Sequence, residues 1–229
     1  MKILCIGDSL SLPGHGNQSK DIWFSKLQEE YKEWLFFSLF KRSITTNILV
    51  EEGGGDDTFP GGADCLEFFM PQAIVIQLGI VDCAPRLFGF KSLLPKILNL
   101  FPAKPRHLSF KMIKKLKKRK AKNAYVSPEK FEFNLTNYLN RCAACEVKKV
   151  IFIKICTPDE SFIKKNQDIL TAVKLYNNIL DKMVQNYSFF ETINPLSNNL
   201  EGIYEDGYHP NPLGNERVFE ELNSRLKDV

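Results

Sequence analysis

Short, almost wholly apolar runs recur along this chain between stretches of helical periodicity, and that alternation narrows its fold more than any other feature. Ile3 to Ile6, Ala73 to Leu78 and Val150 to Ile155 hold few polar residues. A strand covered on one face alternates apolar and polar positions, whereas a strand covered on both is apolar nearly throughout. Five strands are predicted, over 2–6, 35–40, 73–78, 150–155 and 189–193. Between them, Ile22, Trp23, Leu27 and Tyr31 recur at helical spacing, as do Ile169, Val173, Tyr176, Leu180 and Val184. Ser127 followed by Pro128 opens a helix running to about Cys145, since serine caps and proline fits the first turn. A last helix begins near Pro212 and carries Val218, Phe219 and Leu222. The pattern implies an α/β protein with a parallel five-stranded sheet between two helical layers. At 229 residues the chain suits one domain with an insertion.

Two stretches break the rhythm. Residues 52–62 are rich in Gly and Asp and read as a loop. Residues 86–127 read as an insertion after the third strand, apolar first and then basic. Between Lys104 and Lys122 there are ten Lys/Arg and no acid; without them 21 basic residues face 27 acidic ones, about −6 for the rest of the chain. This run is either a solvated arm or part of a lid that meets an anion such as a membrane surface or lipid-linked precursor. No nucleic-acid motif accompanies the charge.

No apolar run reaches the ~18–20 residues of a spanning helix. The apolar run after Met1 and Lys2 is too short for a signal peptide, so a cytoplasmic protein is expected. Six scattered cysteines agree with a reducing compartment. Cys142 and Cys145 form a lone CxxC without a second pair, which reads as two small helix residues rather than a redox or metal site. No metal or cofactor is implied.

The chemistry lies in two short motifs. Gly7-Asp8-Ser9-Leu10 follows the first strand directly, so Ser9 falls at the carboxyl edge of the sheet, where α/β folds place their sites. Serine needs a base to act as a nucleophile. Of three histidines, His15 and His107 lack an acidic partner and read as loop surface residues. His209 has Asp206 three residues before it, just ahead of the last helix. An Asp in that position can hold one imidazole nitrogen while the other faces Ser9.

With these motifs so placed, the sequence resembles the SGNH/GDSL hydrolase family over nearly its whole length. The resemblance implies a flavodoxin-like three-layer sandwich and a triad of Ser9, His209 and Asp206. The family's last block is matched further by Asn211 and Gly214. The oxyanion is expected to rest on the backbone N–H of Ser9 and of Ser43, with Gly54 or Gly55 as a more distant match to the second block. The third block carries an Asn that donates to the oxyanion; here the run is Gly79-Ile80-Val81-Asp82, so Val81 stands at that place. Losing such a donor costs roughly 10²–10³ in rate, and Arg42 and Arg86 are candidates to compensate. Arg42, Asp82 and Arg86 are expected to contact substrate, although Arg86 could equally form a helix-start salt bridge. The run from Gln77 to Arg86 also resembles a GDSL-like subgroup from bacterial surface-polysaccharide loci. The resemblance implies an esterase that removes a short acyl group, acetyl first, from a sugar hydroxyl. An O-acetyltransferase with the same triad and a catalytically weak binding or assembly protein of polysaccharide biosynthesis are the alternatives.

Overall fold

The computed structural model describes residues 1–14, 16–50, 63–86, 123–197, 200–204, 206–227 and 229, together with positions 97, 100, 102, 109 and 112. His15, Gly54, Gly55, His107 and nearly all of the insertion with its basic run lie outside the described residues.

Five strands form one sheet: β1 (Lys2–Gly7), β2 (Leu35–Phe40), β3 (Ala73–Gln77), β4 (Lys149–Ile153) and β5 (Phe190–Ile193). Their spatial order is β2-β1-β3-β4-β5, and every pairing is parallel. This is the doubly wound, flavodoxin-like order, in which the chain changes direction of winding between β1 and β3.

Side chains alternate across a strand, and here both sets are buried. Leu4, Ile6, Ile74, Ile76, Val150 and Phe152 face one core with Phe131, Leu135, Tyr138, Val173, Tyr176 and Leu180. Ile3, Cys5, Val75, Ile151 and Ile153 face the other with Trp23, Leu27, Val218, Leu222 and Leu226. The helices supplying these residues are α1 (Trp23–Glu30), α4 (Pro128–Ala144), α6 (Ile169–Asn186) and α7 (Pro212–Leu226). Among the described residues there are also three short helices, α2 (Leu66–Phe69), α3 (Ile80–Cys83) and α5 (Glu160–Lys165). The result is the expected three layers.

Local signals set the helix starts. The Ser127 hydroxyl accepts from Lys130 N at the head of α4, with Pro128 in the first turn. Asn211 does the same for α7, accepting from Gly214 N ahead of Pro212. Cys142 is buried on α4, Cys145 is half-buried at its end, and all six cysteines are free thiols. Among the described residues there is no cluster of metal-ligating side chains and no helix long and apolar enough to cross a membrane.

Candidate active site

The turn after β1 is built around one acceptor. Gln77, the last residue of β3, takes a hydrogen bond on Oε1 from the Ser11 hydroxyl at 2.6 Å and another from Trp23 Nε1 at 2.8 Å. Its backbone carbonyl accepts from Asp8 N at 3.2 Å. Gly7 permits this arrangement, because a Cβ there would fall 2.2 Å from Ser11 Oγ. Asp8 caps the short 3-10 turn Ser9–Ser11, its Oδ1 accepting from Leu10 N at 2.9 Å. Ser9 is thus presented on a turn tied to β3 and α1. Sequence reasoning missed Ser11, Gln77 and Trp23; the signal was a glutamine ending an otherwise apolar strand.

The second motif is held as firmly. Ile203 and Pro210 form an antiparallel bridge, Tyr204 N donates to His209 O at 2.9 Å, and Asn17 Nδ2 donates to Pro210 O at 2.9 Å. Gly207 has φ +94°, and a Cβ there would meet Asp159 Oδ1 at 2.4 Å, so both conformation and space require glycine. Asn215 on α7 accepts from Trp23 N at 3.3 Å, which links this loop's helix to the helix beside Ser9.

These two loops bring the predicted residues together. His209 Nε2 lies 3.1 Å from Ser9 Oγ, and His209 Nδ1 lies 2.5 Å from Asp206 Oδ2. The other Asp206 oxygen accepts from Tyr208 N at 3.2 Å and His209 N at 3.1 Å. Burial opposes the Asp206 charge, but these two N–H groups and the imidazole outweigh it and hold the carboxyl below its ordinary range. An ionised Asp206 fixes the imidazole with its free lone pair toward Ser9, the geometry for proton removal from the hydroxyl. Tyr208 lies beside this pair, its ring centroid 4.3 Å from that of His209.

The remaining predicted residues take different positions. Ser43 follows β2 in an exposed turn with φ +62°, the left-handed region that glycine enters most readily. The β2–β1 pairing carries this turn to the Ser9 edge, with Phe40 opposite Gly7 and Lys41 N donating to Gly7 O at 3.1 Å. Val81 sits on α3, buried, and offers a carbonyl rather than an amide side chain. Gly79 leads into α3 at φ +117°, and a Cβ there would meet Ile155 at 2.7 Å.

Asp82 corrects the expectation of a substrate contact. It is fully buried, and its Oδ1 accepts from Thr46 N at 2.9 Å and Thr46 Oγ1 at 2.6 Å. Asn134 joins by donating to Thr46 Oγ1 at 3.1 Å. Asp82 is therefore a positioning residue that ties the segment after β2 to α3 and α4. Among the described residues Arg86 makes no salt bridge of the kind considered from sequence. Its guanidinium lies 4.5 Å over the Tyr125 ring, with Nη2 3.5 Å from Val81 O. Arg42 is exposed.

Two carboxyls beneath the site carry raised pKa values. Burial pushes Asp8 up to about 7, aided by the Asp82 charge and opposed by the Leu10 N–H. Burial likewise pushes Asp82 up to about 6 against the pull of the Thr46 hydroxyl and nearby backbone N–H groups.

No protein-family model and no curated protein matches the sequence. Solved structures do match in three dimensions. Esterase EstA from Pseudoalteromonas sp., inhibited by monoethylphosphonate, superposes with a TM-score of 0.57 at 16% identity, covering 99% of this chain and 97% of that one. A G-D-S-L family lipolytic protein from Desulfitobacterium hafniense gives 0.58 at 14% identity, over 98% of each chain. An acetyl-xylooligosaccharide esterase from Geobacillus stearothermophilus gives 0.53 at 14% identity, over 96% of this chain and 90% of that one. Parallel order, layer arrangement and near-complete coverage agree: the chain has the SGNH/GDSL hydrolase fold.

Proposed function

We propose that the protein is a serine ester hydrolase of the SGNH/GDSL type that removes a short acyl group, acetyl first, from a carbohydrate hydroxyl. The observation that carries this reading is the relay from Ser9 Oγ through His209 to Asp206, with contacts of 3.1 and 2.5 Å at the sheet's switch point. Ser9 Oγ attacks the acyl carbonyl as His209 Nε2 takes its proton. The tetrahedral oxyanion is held by the backbone N–H groups of Ser9 and Ser43. Collapse expels the sugar alkoxide, which takes the proton back from His209. Water, deprotonated by the same imidazole, then releases the acid and restores Ser9. The esterases among the structural neighbours, one of them acting on acetylated xylooligosaccharides, support this substrate class. Six free thiols agree with a reducing compartment as its location.

Val81 favours a second reading, a weakly catalytic binding protein of a polysaccharide pathway, because a valine donates nothing to an oxyanion. Release of acetate from acetylated oligosaccharides and hydrolysis of an aryl acetate, each measured beside Ser9→Ala, separate the two. Ser9-dependent turnover supports the hydrolase. Binding of the glycan without turnover supports the alternative, and appearance of the acyl group on an added glycan identifies a transferase.

A further inference from the structure

Five arginines fall among the described residues, and three of them meet carboxylates: Arg141 with Asp64 and Glu67, Arg217 with Glu201, and Arg225 with Glu191. The two with no carboxylate partner among the described residues, Arg42 and Arg86, both stand at the sheet edge that carries Ser9. Arg42 lies two residues past β2, and its Nη2 would be 3.6 Å from a Cβ on Gly14, in the loop that follows the Ser9 turn. Arg86 lies three residues past α3. It stacks on Tyr125, reaches Val81 O only at 3.5 Å, and has a buried Nε with no hydrogen-bond partner. Its charge also acts on the Tyr208 hydroxyl, whose ring packs against His209.

A partly buried guanidinium whose Nε has no hydrogen-bond partner is costly unless an anion completes it. Guanidinium groups recognise carboxylate and phosphate through paired N–H donors, and stacking on an aromatic ring holds the fork in one orientation. Two such cations at the edge that carries a nucleophile also raise the local concentration of anionic ligands.

We propose that Arg86 and Arg42 form a subsite for an anionic group, a carboxylate or a phosphate, on the acylated substrate. The subsite rests on the reading of Ser9 as the ester-cleaving nucleophile and narrows its substrate to an acidic sugar or a sugar phosphate.

The test is the selectivity of the enzyme among O-acetylated glucose, O-acetylated glucuronate and O-acetylated glucose 6-phosphate. The wild type should favour at least one anionic ester over the neutral one by roughly tenfold or more in kcat/KM, mostly through KM. Whichever anion is preferred identifies the source of the charge. Arg86→Gln should lower that ratio most, Arg42→Gln less, and added salt should lower it in the wild type. Lys164→Gln, at an exposed position on α5, should leave the ratio as it is. A wild type without anionic preference overturns the subsite. So does an equal loss on neutral and anionic esters in Arg86→Gln, which would make Arg86 an oxyanion or structural residue. If the protein cleaves none of the three, the hydrolase reading fails on its own, and calorimetric titration of Ser9→Ala with glucuronate and with glucose 6-phosphate decides the subsite. Binding that weakens in the Ser9→Ala, Arg86→Gln double variant upholds it, and absence of binding by Ser9→Ala overturns it.

Discussion

Asp8 shows how one buried group beside the nucleophile shapes behaviour. Its carboxyl is fully buried, with Oδ1 accepting from Leu10 N and Oδ2 buried without a hydrogen-bond partner. The pKa rises from 3.8 to about 7 on folding, so the folded state holds the proton more tightly than the unfolded chain. Stability must then fall as pH rises from about 4 through about 7. Asp206, with its lowered pKa, acts in the opposite sense at acid pH. We predict that Asp8→Asn melts at a higher temperature than wild type at pH 8 and loses less stability between pH 5 and 8. Parallel curves for the two proteins would show that Asp8 does not titrate there. A second residue-scale prediction concerns Val81. Val81→Asn should raise kcat for an aryl acetate by at least about tenfold with little change in KM, since one oxyanion donor is worth roughly 10²–10³. An unchanged kcat would mean that another donor already occupies the place.

The elements were more legible in the sequence than the contacts between them. The strand runs, the cap at Ser127, the helix start near Pro212, and the Gly7-Asp8-Ser9 and Asp206–His209 motifs are local signals, each readable within a few residues. Ser9 and His209 lie 200 positions apart, yet their meeting follows once each motif is assigned to the carboxyl edge of the same sheet. Gln77 with Ser11, 66 positions apart, and Asp82 with Thr46, 36 apart, left no such signal. Their partners are single polar side chains inside apolar surroundings, and nothing local names which partner each will find. The short helices α2, α3 and α5 went unread for a related reason, having too few turns to show a periodicity. One of these, α2, is anchored from a distance. Arg141 on α4 donates to Asp64 at 2.8 Å, to Glu67 at 2.6 Å and to Leu49 O at 3.0 Å, and Asp64 is fully buried. Arg141→Met should destabilise the protein by about 2–4 kcal/mol in urea unfolding, because it strands a buried carboxylate. Adding Asp64→Asn to that variant should recover part of the loss. A cost below about 0.5 kcal/mol would place the pair among solvent-screened surface contacts.

At the scale of the whole molecule, charge is divided sharply. Ten of the 31 basic residues lie between Lys104 and Lys122, and the rest of the chain is acidic by about six charges. We propose that this segment brings the protein to an anionic surface or lipid-linked precursor. Sedimentation with vesicles containing phosphatidylglycerol should show binding that falls steeply between 50 and 300 mM salt, as screening over roughly 8–10 Å requires. Replacing Lys114, Lys115, Lys117, Lys118, Arg119 and Lys120 with Gln should weaken it severalfold. Equal binding to neutral vesicles would point to apolar contact instead.

The central claim is that Ser9 is a nucleophile activated by His209 and oriented through Asp206. A fluorophosphonate forms a covalent bond to such a serine and to few others. Intact mass should show one adduct per chain, peptide mapping should place it on Ser9, and Ser9→Ala should show none. His209→Ala should slow labelling by at least about 10²-fold, since general-base assistance is worth roughly 10²–10⁴. Asp206→Asn should slow it less. An adduct on another residue, or undiminished labelling of Ser9→Ala, would contradict the assignment.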